Sequence, residues 1–262
     1  MESRGSSEIH PSAIVDPDAR LGPGVRVGPY AVIGAGVEIG AATVVGPHAT
    51  ILGPTRIGRA NRIHGHACLG DAPQDLGYRD QPTRLEIGDR NVIREFVTLH
   101  RGTDKGGGVT RVGSDCMFMT YSHVAHDCQV GDGVILANSV NVGGHVIIED
   151  KVNIGGLCAI HQFVRLGRHA MIGGGSIVVL DIPPFMLACG NHARLFGLNR
   201  RGLRRAGFSE ESIEALKHAH RLLYRSGLSL AAACQRVREE RPTPETAQLL
   251  SFVQQSKRGL TR

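Results

Sequence analysis

The sequence predicts a mainly β solenoid followed by a C-terminal α-helical domain. An aliphatic residue recurs at every sixth position through residues 9–69. Helices repeat near 3.6 residues and half-buried strands near 2, so a period of six indicates short flat segments joined by turns. The positions four residues later are nearly all small or β-branched, as at Ala13, Ala31 and Thr43. One large and one small inward residue per hexad would fill a narrow triangular prism.

The composition agrees with a narrow interior. The 262-residue chain has 35 glycines, 4% aromatic residues and no Trp, while 41% of its residues are hydrophobic. Glycine directly follows many of the repeated aliphatics, as at Gly40, Gly46 and Gly58, where we expect tight corners that need a positive φ.

The sequence contains no run of eighteen apolar residues, and no basic head followed by an apolar stretch opens it. We therefore expect a cytoplasmic protein without membrane insertion. The six cysteines include no CxxC pair, and Cys116, Cys128 and Cys158 fall on small inward positions. We expect buried, reduced thiols rather than metal ligands.

The repeat is interrupted twice. Residues 70–86 are polar and rich in turn residues, and the period resumes at Ile87 in the same phase. Residues 101–111 include three consecutive glycines, a run without helix or strand preference. We expect both segments to leave the prism as loops, and loops on a rigid scaffold often carry function.

Residues 181–184 are predicted to end the repeat, because neither Pro183 nor Pro184 can donate to a continuing ladder. We therefore divide the chain into a prism at 1–189 and a basic helical domain at 190–262. Helices are predicted at 210–225 after Ser209, at about 230–241 after Ser229, and at 244 to about 257 after Thr243.

The second block of repeats contains a histidine cluster made up of His123, His126, His145 and His161. With three hexads per coil, residues eighteen apart stack. His126 then lies below Gly144, Gly144 below Gln162, and Asp127 below His145. A lone surface histidine is usually only solvated, but this cluster supplies a base near neutral pH, a carboxylate to orient it and donors to position a polar acceptor. The pattern favours acyl transfer.

Longer motifs make this hypothesis specific. They are QDLGYRDQPTRLEIGDRNVIREFVTLHRGT, SHVAHDCQVGDGVILAN, GGHVIIED, IHQF and GNHARLFGLNRRGLRR. Across essentially the whole chain the sequence resembles the UDP-N-acetylglucosamine O-acyltransferases that begin lipid A biosynthesis, a family of hexapeptide-repeat acyltransferases. The resemblance implies a left-handed parallel β-helix, whereas ordinary parallel crossovers are right-handed. It also implies a homotrimer with sites between neighbouring subunits.

The resemblance implies transfer of a 3-hydroxyacyl group from acyl carrier protein to the 3-position of UDP-N-acetylglucosamine, with no metal or other cofactor. It makes His126 the general base, Asp127 its partner, and the Gly144 N–H the oxyanion donor. It also implies substrate-binding roles for Gln74, Asp75, His123, His145, His161, Gln162, Gly174, His192, Asn199 and Arg205.

Gly174 matches the position that limits the acyl chain in this family. A glycine there leaves the groove open towards His192, which predicts a comparatively long 3-hydroxyacyl chain. The alternative is that Gly174 is only a corner residue with a free φ.

Two positions depart from the family pattern. Relatives commonly have a lysine where this chain has Gly77, and a second arginine where it has Ala206. The acceptor therefore stays open between the 3-hydroxyl sugar and a 3-amino analogue.

The basic charge lies in the C-terminal part. Residues 190–262 contain 14 Lys and Arg against 6 Asp and Glu, a net +8, which leaves −2 for the first 189 residues. Arg200, Arg201, Arg204 and Arg205 fall within six residues. This cluster fits the strongly acidic acyl carrier protein, which we favour over nucleic acid as a partner.

Three alternatives remain. A trimeric zinc hydratase on the same fold also gathers histidines, but His123 and His126 are spaced HxxH instead of HxxxxH. A non-catalytic β-helix scaffold would explain the hexads but not the clustered histidines. The N-acyltransferase later in the same pathway carries a globular domain before its repeat, whereas the hexads here begin at Ile9.

Overall fold

The computed structural model describes residues 7–262. Its dominant part is the left-handed parallel β-helix that the family resemblance implies, with three sheets of 11, 9 and 8 strands as the faces of a prism. We call the edge between the first and second sheets the first corner, that between the second and third the second corner, and that between the third and first the third corner.

The strands are short, and most contain two residues. The first sheet contains β1 (Glu8–Ile9), β4 (Arg26–Val27), β7 (Val44–Val45), β10 (Arg62–Ile63), β13 (Val92–Ile93), β16 (Met117–Phe118), β19 (Ile135–Leu136), β22 (Asn153–Ile154), β25 (Met171–Ile172), β27 (Met186–Cys189) and β28 (Arg194–Leu198). The second sheet contains β2 (Ile14–Val15), β5 (Val32–Ile33), β8 (Thr50–Ile51), β11 (Cys68–Asp71), β14 (Thr98–His100), β17 (His123–Val124), β20 (Asn141–Val142), β23 (Ala159–Ile160) and β26 (Ile177–Val178). The third sheet contains β3 (Arg20–Leu21), β6 (Val37–Ile39), β9 (Thr55–Ile57), β12 (Arg84–Ile87), β15 (Val109–Val112), β18 (Gln129–Val130), β21 (Ile147–Ile148) and β24 (Arg165–Leu166).

The predicted two-residue pattern fills the interior. Ile33 pairs with Ile51, eighteen residues later, and both side chains are buried. The small inward residues Ala31 and Ala49 are also fully buried. Aliphatic side chains therefore stack in columns along the prism axis, and their burial supplies most of the stabilisation.

The expected reason for the repeated glycines is wrong. Positive φ occurs mainly at non-glycine corner residues, such as Ala42 at 59° and Ala60 at 55°. Gly40 is needed for a different reason, since a Cβ there would lie 2.6 Å from the carbonyl carbon of Gly58 in the next coil. At Gly40, close stacking of successive coils, rather than φ, excludes a side chain.

The burial expected of the three repeat cysteines is observed. Cys116, Cys128 and Cys158 are buried free thiols. Each donates to a carbonyl oxygen fifteen residues later, at 3.2 Å to Gly131, 3.1 Å to Gly143 and 3.2 Å to Gly173 respectively. Burial raises the pKa of all three thiols.

Both interruptions leave the prism at the second corner. Segment 72–83 connects β11 to β12, and segment 101–108 connects β14 to β15. The second segment is not irregular throughout, because Asp104–Gly106 forms a 3₁₀ helix whose start is capped by the Thr103 side chain. That cap supplies the order that the glycine run itself does not predict.

Residues 181–184 end the six-residue spacing but not the ladder, so that part of the prediction is wrong. Ile182 still pairs with Leu166, and β27 pairs with β25. The two prolines lie between these contacts, where a turn needs no ladder donor. β28 then pairs antiparallel with β27, so the predicted division at residue 190 falls inside a hairpin.

Four helices complete the chain. They are α1 (Arg200–Arg205), α2 (Glu210–Arg225), α3 (Leu230–Glu240) and α4 (Pro244–Gln255). Ser209, Ser229 and Thr243 cap the last three as predicted. The sequence did not predict α1, because six residues with one buried side chain, Leu203, show no amphipathic period. None of the helices in residues 7–262 is long and apolar enough to span a membrane.

Candidate active site

The predicted base and its partner are in contact at the second corner. His126 Nδ1 lies 2.8 Å from Oδ2 of Asp127, whose side chain is buried. Burial alone would raise the pKa of this carboxyl, but hydrogen bonds from His126 and Thr103 outweigh it and the pKa is lowered. The ionised carboxylate must accept, so Nδ1 carries the proton and Nε2 is left as the basic nitrogen.

The Asp127 carboxylate is held by the second interruption. Oδ1 accepts from the Thr103 backbone N–H at 2.8 Å, and Oδ2 accepts from the Thr103 hydroxyl at 2.6 Å. Gly106 lies against the same group, since a Cβ there would be 2.0 Å from the carboxyl carbon. Segment 101–108 thus fixes the orienting carboxylate. The hexad pattern could not identify Thr103, which lies outside it.

Gly144 lies against the imidazole of His126. A Cβ on residue 144 would be 2.6 Å from His126 Cε1, and the φ of Gly144 lies outside the left-handed region. The imidazole itself therefore requires glycine here. The buried Gly144 N–H donates to no acceptor within the described part of the chain, residues 7–262, so it remains available to a ligand.

His145 completes the predicted column. Its Nε2 lies 3.7 Å from Asp127 Oδ2, and its ring stacks on Phe163, with centroids 4.4 Å apart. Burial lowers the pKa of His145 although the Asp127 charge opposes this. A neutral imidazole can donate to a polar substrate group. Phe163 lies eighteen residues after His145, and this spacing could have identified it.

His123 lies beside two residues that the sequence analysis missed. Its Nδ1 is 2.7 Å from the Thr98 hydroxyl, and its ring meets the His100 ring edge-on at 5.1 Å. Burial, helped by the charges of His100 and His126, lowers the pKa of His123 to about 4. The second interruption lengthens the spacing here from eighteen to twenty-five residues, which hid both neighbours.

Possible metal-ligand atoms of His126, Asp127 and His145 all lie within 4.8 Å of one another. However, both carboxylate oxygens of Asp127 already accept hydrogen bonds, and Oδ2 accepts two. A cation at this point would have to replace donors that fix the His126 tautomer. The donor set fits an oriented base better than a metal centre.

The first interruption brings acidic and amide groups near this corner. Asp75 Oδ1 accepts from the Gly77 N–H at 2.6 Å, and the charge of Asp75 acts on His145 to raise its pKa. Gln74 is exposed beside it. Arg101 anchors the segment by donating to the Gly53 carbonyl and, at 3.3 Å, to the Tyr78 hydroxyl.

His161 and Gln162 are exposed further along the same corner. The guanidinium of Arg258 donates to His161 Nδ1 at 2.8 Å, which ties the end of the chain to the prism. Arg258 could not be predicted from the sequence, because a contact across 97 positions leaves no periodic signal.

Gly174 lies at a different edge, the first corner. The left-handed φ there belongs to its neighbour Gly175, at 70°. A Cβ on Gly174 would approach the Gly156 carbonyl oxygen to 3.3 Å, a tight but adjustable contact. The alternative that Gly174 provides a free φ is therefore wrong. His192 is at the same end of the prism. It lies two residues after Gly190, whose N–H donates to the Ser176 hydroxyl at 3.1 Å.

Asn199 and Arg205 line a cleft of 790 Å³ beside the first sheet and the third corner. Its cationic lining consists of Lys151, Arg200, Arg201 and Arg205, and no carboxylate from residues 7–262 lines it. Asn199 shapes the cleft by accepting from Gly202 N at 3.1 Å and donating to the His169 carbonyl at 3.0 Å. Arg204 instead pairs with Glu210 at 2.7 Å.

One chain therefore does not bring all predicted site residues together. His126 is at the second corner, Gly174 at the first, and Arg205 beside the third. The faces of the prism separate these groups.

The sequence and fold match known proteins. The family model for UDP-N-acetylglucosamine O-acyltransferase, domain 2, matches residues 181–261, and the bacterial transferase hexapeptide model matches residues 6–41 and 110–144. LpxA from Acinetobacter baumannii is 43% identical, with a TM-score of 0.94 over 97% of this chain and 99% of that one. The chain belongs to the UDP-N-acetylglucosamine O-acyltransferase family.

Two further UDP-N-acetylglucosamine O-acyltransferase structures agree. The LpxA of Moraxella catarrhalis is 44% identical, with a TM-score of 0.94 over 97% of this chain and 99% of that one. The Arabidopsis UDP-N-acetylglucosamine acyltransferase is 33% identical, with a TM-score of 0.84 over 97% and 100% of the two chains. The resemblance identified from the motifs is confirmed, and the zinc hydratase and scaffold alternatives are set aside.

Proposed function

We propose that this protein transfers a 3-hydroxyacyl group from acyl carrier protein to the 3-hydroxyl of UDP-N-acetylglucosamine, the first step of lipid A biosynthesis. The observation that carries the proposal is the His126–Asp127 pair packed against Gly144, in a chain of this family. This arrangement places a basic nitrogen and a free N–H at one corner of the prism, as acyl transfer to a hydroxyl requires.

In the proposed reaction, Asp127 holds the Nδ1–H of His126, and Nε2 removes the proton of the sugar hydroxyl. The oxygen attacks the thioester carbonyl carbon, and the Gly144 N–H stabilises the resulting oxyanion. Collapse of this intermediate breaks the C–S bond. The departing thiolate takes the proton from the His126 imidazolium, which restores the neutral base and releases the carrier protein as a thiol.

We further propose a homotrimer in which neighbouring prisms share each site. The support is the location of His126 and Arg205 on different edges of one chain. A cyclic arrangement brings one edge of each prism against a different edge of the next. In this arrangement the cationic side chains of the cleft around Arg205 bind the diphosphate of UDP. Gly174 lines the path of the acyl chain.

The donor is proposed to dock through the basic C-terminal surface. Acyl carrier protein is acidic, and screening of such an encounter by salt should raise the KM for the donor. We expect acyl carrier protein, and not nucleic acid, as the macromolecular partner.

The test combines purified protein with 3-hydroxyacyl carrier proteins of several lengths and with UDP-N-acetylglucosamine or its 3-amino analogue. We expect turnover with the hydroxyl sugar. His126→Ala should lower kcat by about 10²–10⁴-fold. His10→Ala, at the exposed N-terminal end of the prism, serves as the matched control. Near-native turnover by His126→Ala would contradict the mechanism, and preference for the amino sugar would change the acceptor.

A further inference from the structure

The second interruption brings a lysine to the loop that carries Asp75. Lys105 is exposed and lies in the 3₁₀ helix Asp104–Gly106. A Cβ on Gly77 would lie 3.5 Å from Lys105 Nζ and 3.0 Å from Asp75 Oδ1. An ammonium and a carboxylate therefore flank the side-chain-free surface of Gly77, although the two segments are separate in sequence.

The backbone that presents Lys105 is held by the catalytic corner. Thr103, two residues earlier, donates to both oxygens of Asp127. Gly106, the next residue, lies against the same carboxylate. Contacts on both sides of Lys105 thus fix its Cα relative to the His126–Asp127 pair.

Within residues 7–262, the ammonium of Lys105 has no partner and is free to bind a ligand. It forms no ion pair and no hydrogen bond with any of these residues. Two nearby guanidinium groups are already engaged: Arg79 donates to the Leu76 and Tyr78 carbonyls at 2.8 Å, and Arg101 anchors the loop. Of these three cations, Lys105 is the one whose charged group makes no hydrogen bond or ion pair within residues 7–262.

We propose that Lys105 is a specificity-determining residue whose ammonium binds the negatively charged sugar–diphosphate portion of the acceptor. The inference rests on the proposed function. Gly77 contributes by having no side chain, which leaves space for the ammonium of Lys105.

The test measures KM for each substrate separately. Lys105→Ala should raise KM for UDP-N-acetylglucosamine about tenfold, as expected for loss of a charged hydrogen bond. The KM for the acyl donor and the kcat at saturation should change less than about twofold. Lys105→Arg should retain most of the affinity. Arg20→Ala, which removes an exposed cation at the N-terminal end of the prism, is the control.

A charge-relocation variant separates binding from structure. Gly77→Lys combined with Lys105→Ala should recover most of the lost affinity, because φ of Gly77 permits a side chain. Gly77→Lys alone should bring no gain. An unchanged KM for the acceptor in Lys105→Ala would overturn the inference. So would a fall in both kcat and melting temperature in that variant, because it would indicate a structural role. An inactive wild-type enzyme would instead overturn the proposed function.

Discussion

The imidazole of His126 packs against the bare Cα of Gly144 in the next coil, so closely that a Cβ there would lie 2.6 Å from Cε1. A relay of hydrogen bonds also fixes this imidazole. Asp127 accepts from its Nδ1, and Thr103, which lies in segment 101–108, donates to Asp127. Its orientation is therefore set by the stacking of coils and by one ordered loop.

Gly144→Ala should lower kcat by about 10²–10³-fold, because the methyl group displaces the base and disturbs the oxyanion donor. The melting temperature should change little, since the φ of this residue lies outside the left-handed region and the methyl group would meet the end of a side chain and not backbone. Gly34→Ala is the matched control, as a Cβ there finds ordinary contact at 3.4 Å. Full activity of Gly144→Ala would mean that the imidazole need not occupy this position.

Thr103→Val removes one of the three hydrogen bonds to the Asp127 carboxylate while keeping the side-chain shape. We expect kcat to fall about tenfold, since a charged hydrogen bond contributes about 1.5–3 kcal/mol and the backbone N–H remains. Steady-state kinetics measures this. Thr43→Val makes the same change inside the prism, where Thr43 donates to the Gly58 carbonyl at 3.0 Å. A fall in stability without a fall in kcat is expected there.

His123 should make the protein sensitive to acid. Its pKa is about 4 in the folded chain and about 6.5 when unfolded. As pH falls from 6.5 towards 4, the unfolded chain binds a proton that the folded chain does not, so the free energy of unfolding decreases. The loss is on the order of 2–3 kcal/mol per site. Denaturant unfolding at pH 7 and 4.5 should show a smaller decrease for His123→Gln.

Gly174→Met tests the acyl-length hypothesis. The side chain should block the groove, so long 3-hydroxyacyl donors lose activity while short ones keep or gain it. Activity is measured against a series of donor lengths, together with the melting temperature. Equal loss for every length, with lower thermal stability, would mean that the methionine only clashes with the Gly156 backbone and does not block a groove.

The periodic part of the molecule was predictable because each inward position has one requirement, to be large or small and apolar. The stacking of His126 on Gly144 and of Asp127 near His145 follows from the same eighteen-residue period. Thr103, Lys105 and Arg258 were not predictable. Their contacts depend on how the loop and the chain end fold back, and neither obeys the repeat. The role of Gly40 was also missed, since coil-to-coil distance is not visible in a single hexad.

His126 lies at the second corner and Arg205 lies beside the third corner, and this separation predicts complementation between variant subunits. If each site takes its base from one copy and its arginines from the next, two inactive variants can complement each other. His126→Ala and Arg205→Ala chains, mixed at equal amounts and assembled together, should form intact sites at about one quarter of positions, since each required copy is present half of the time. Each variant alone should form none.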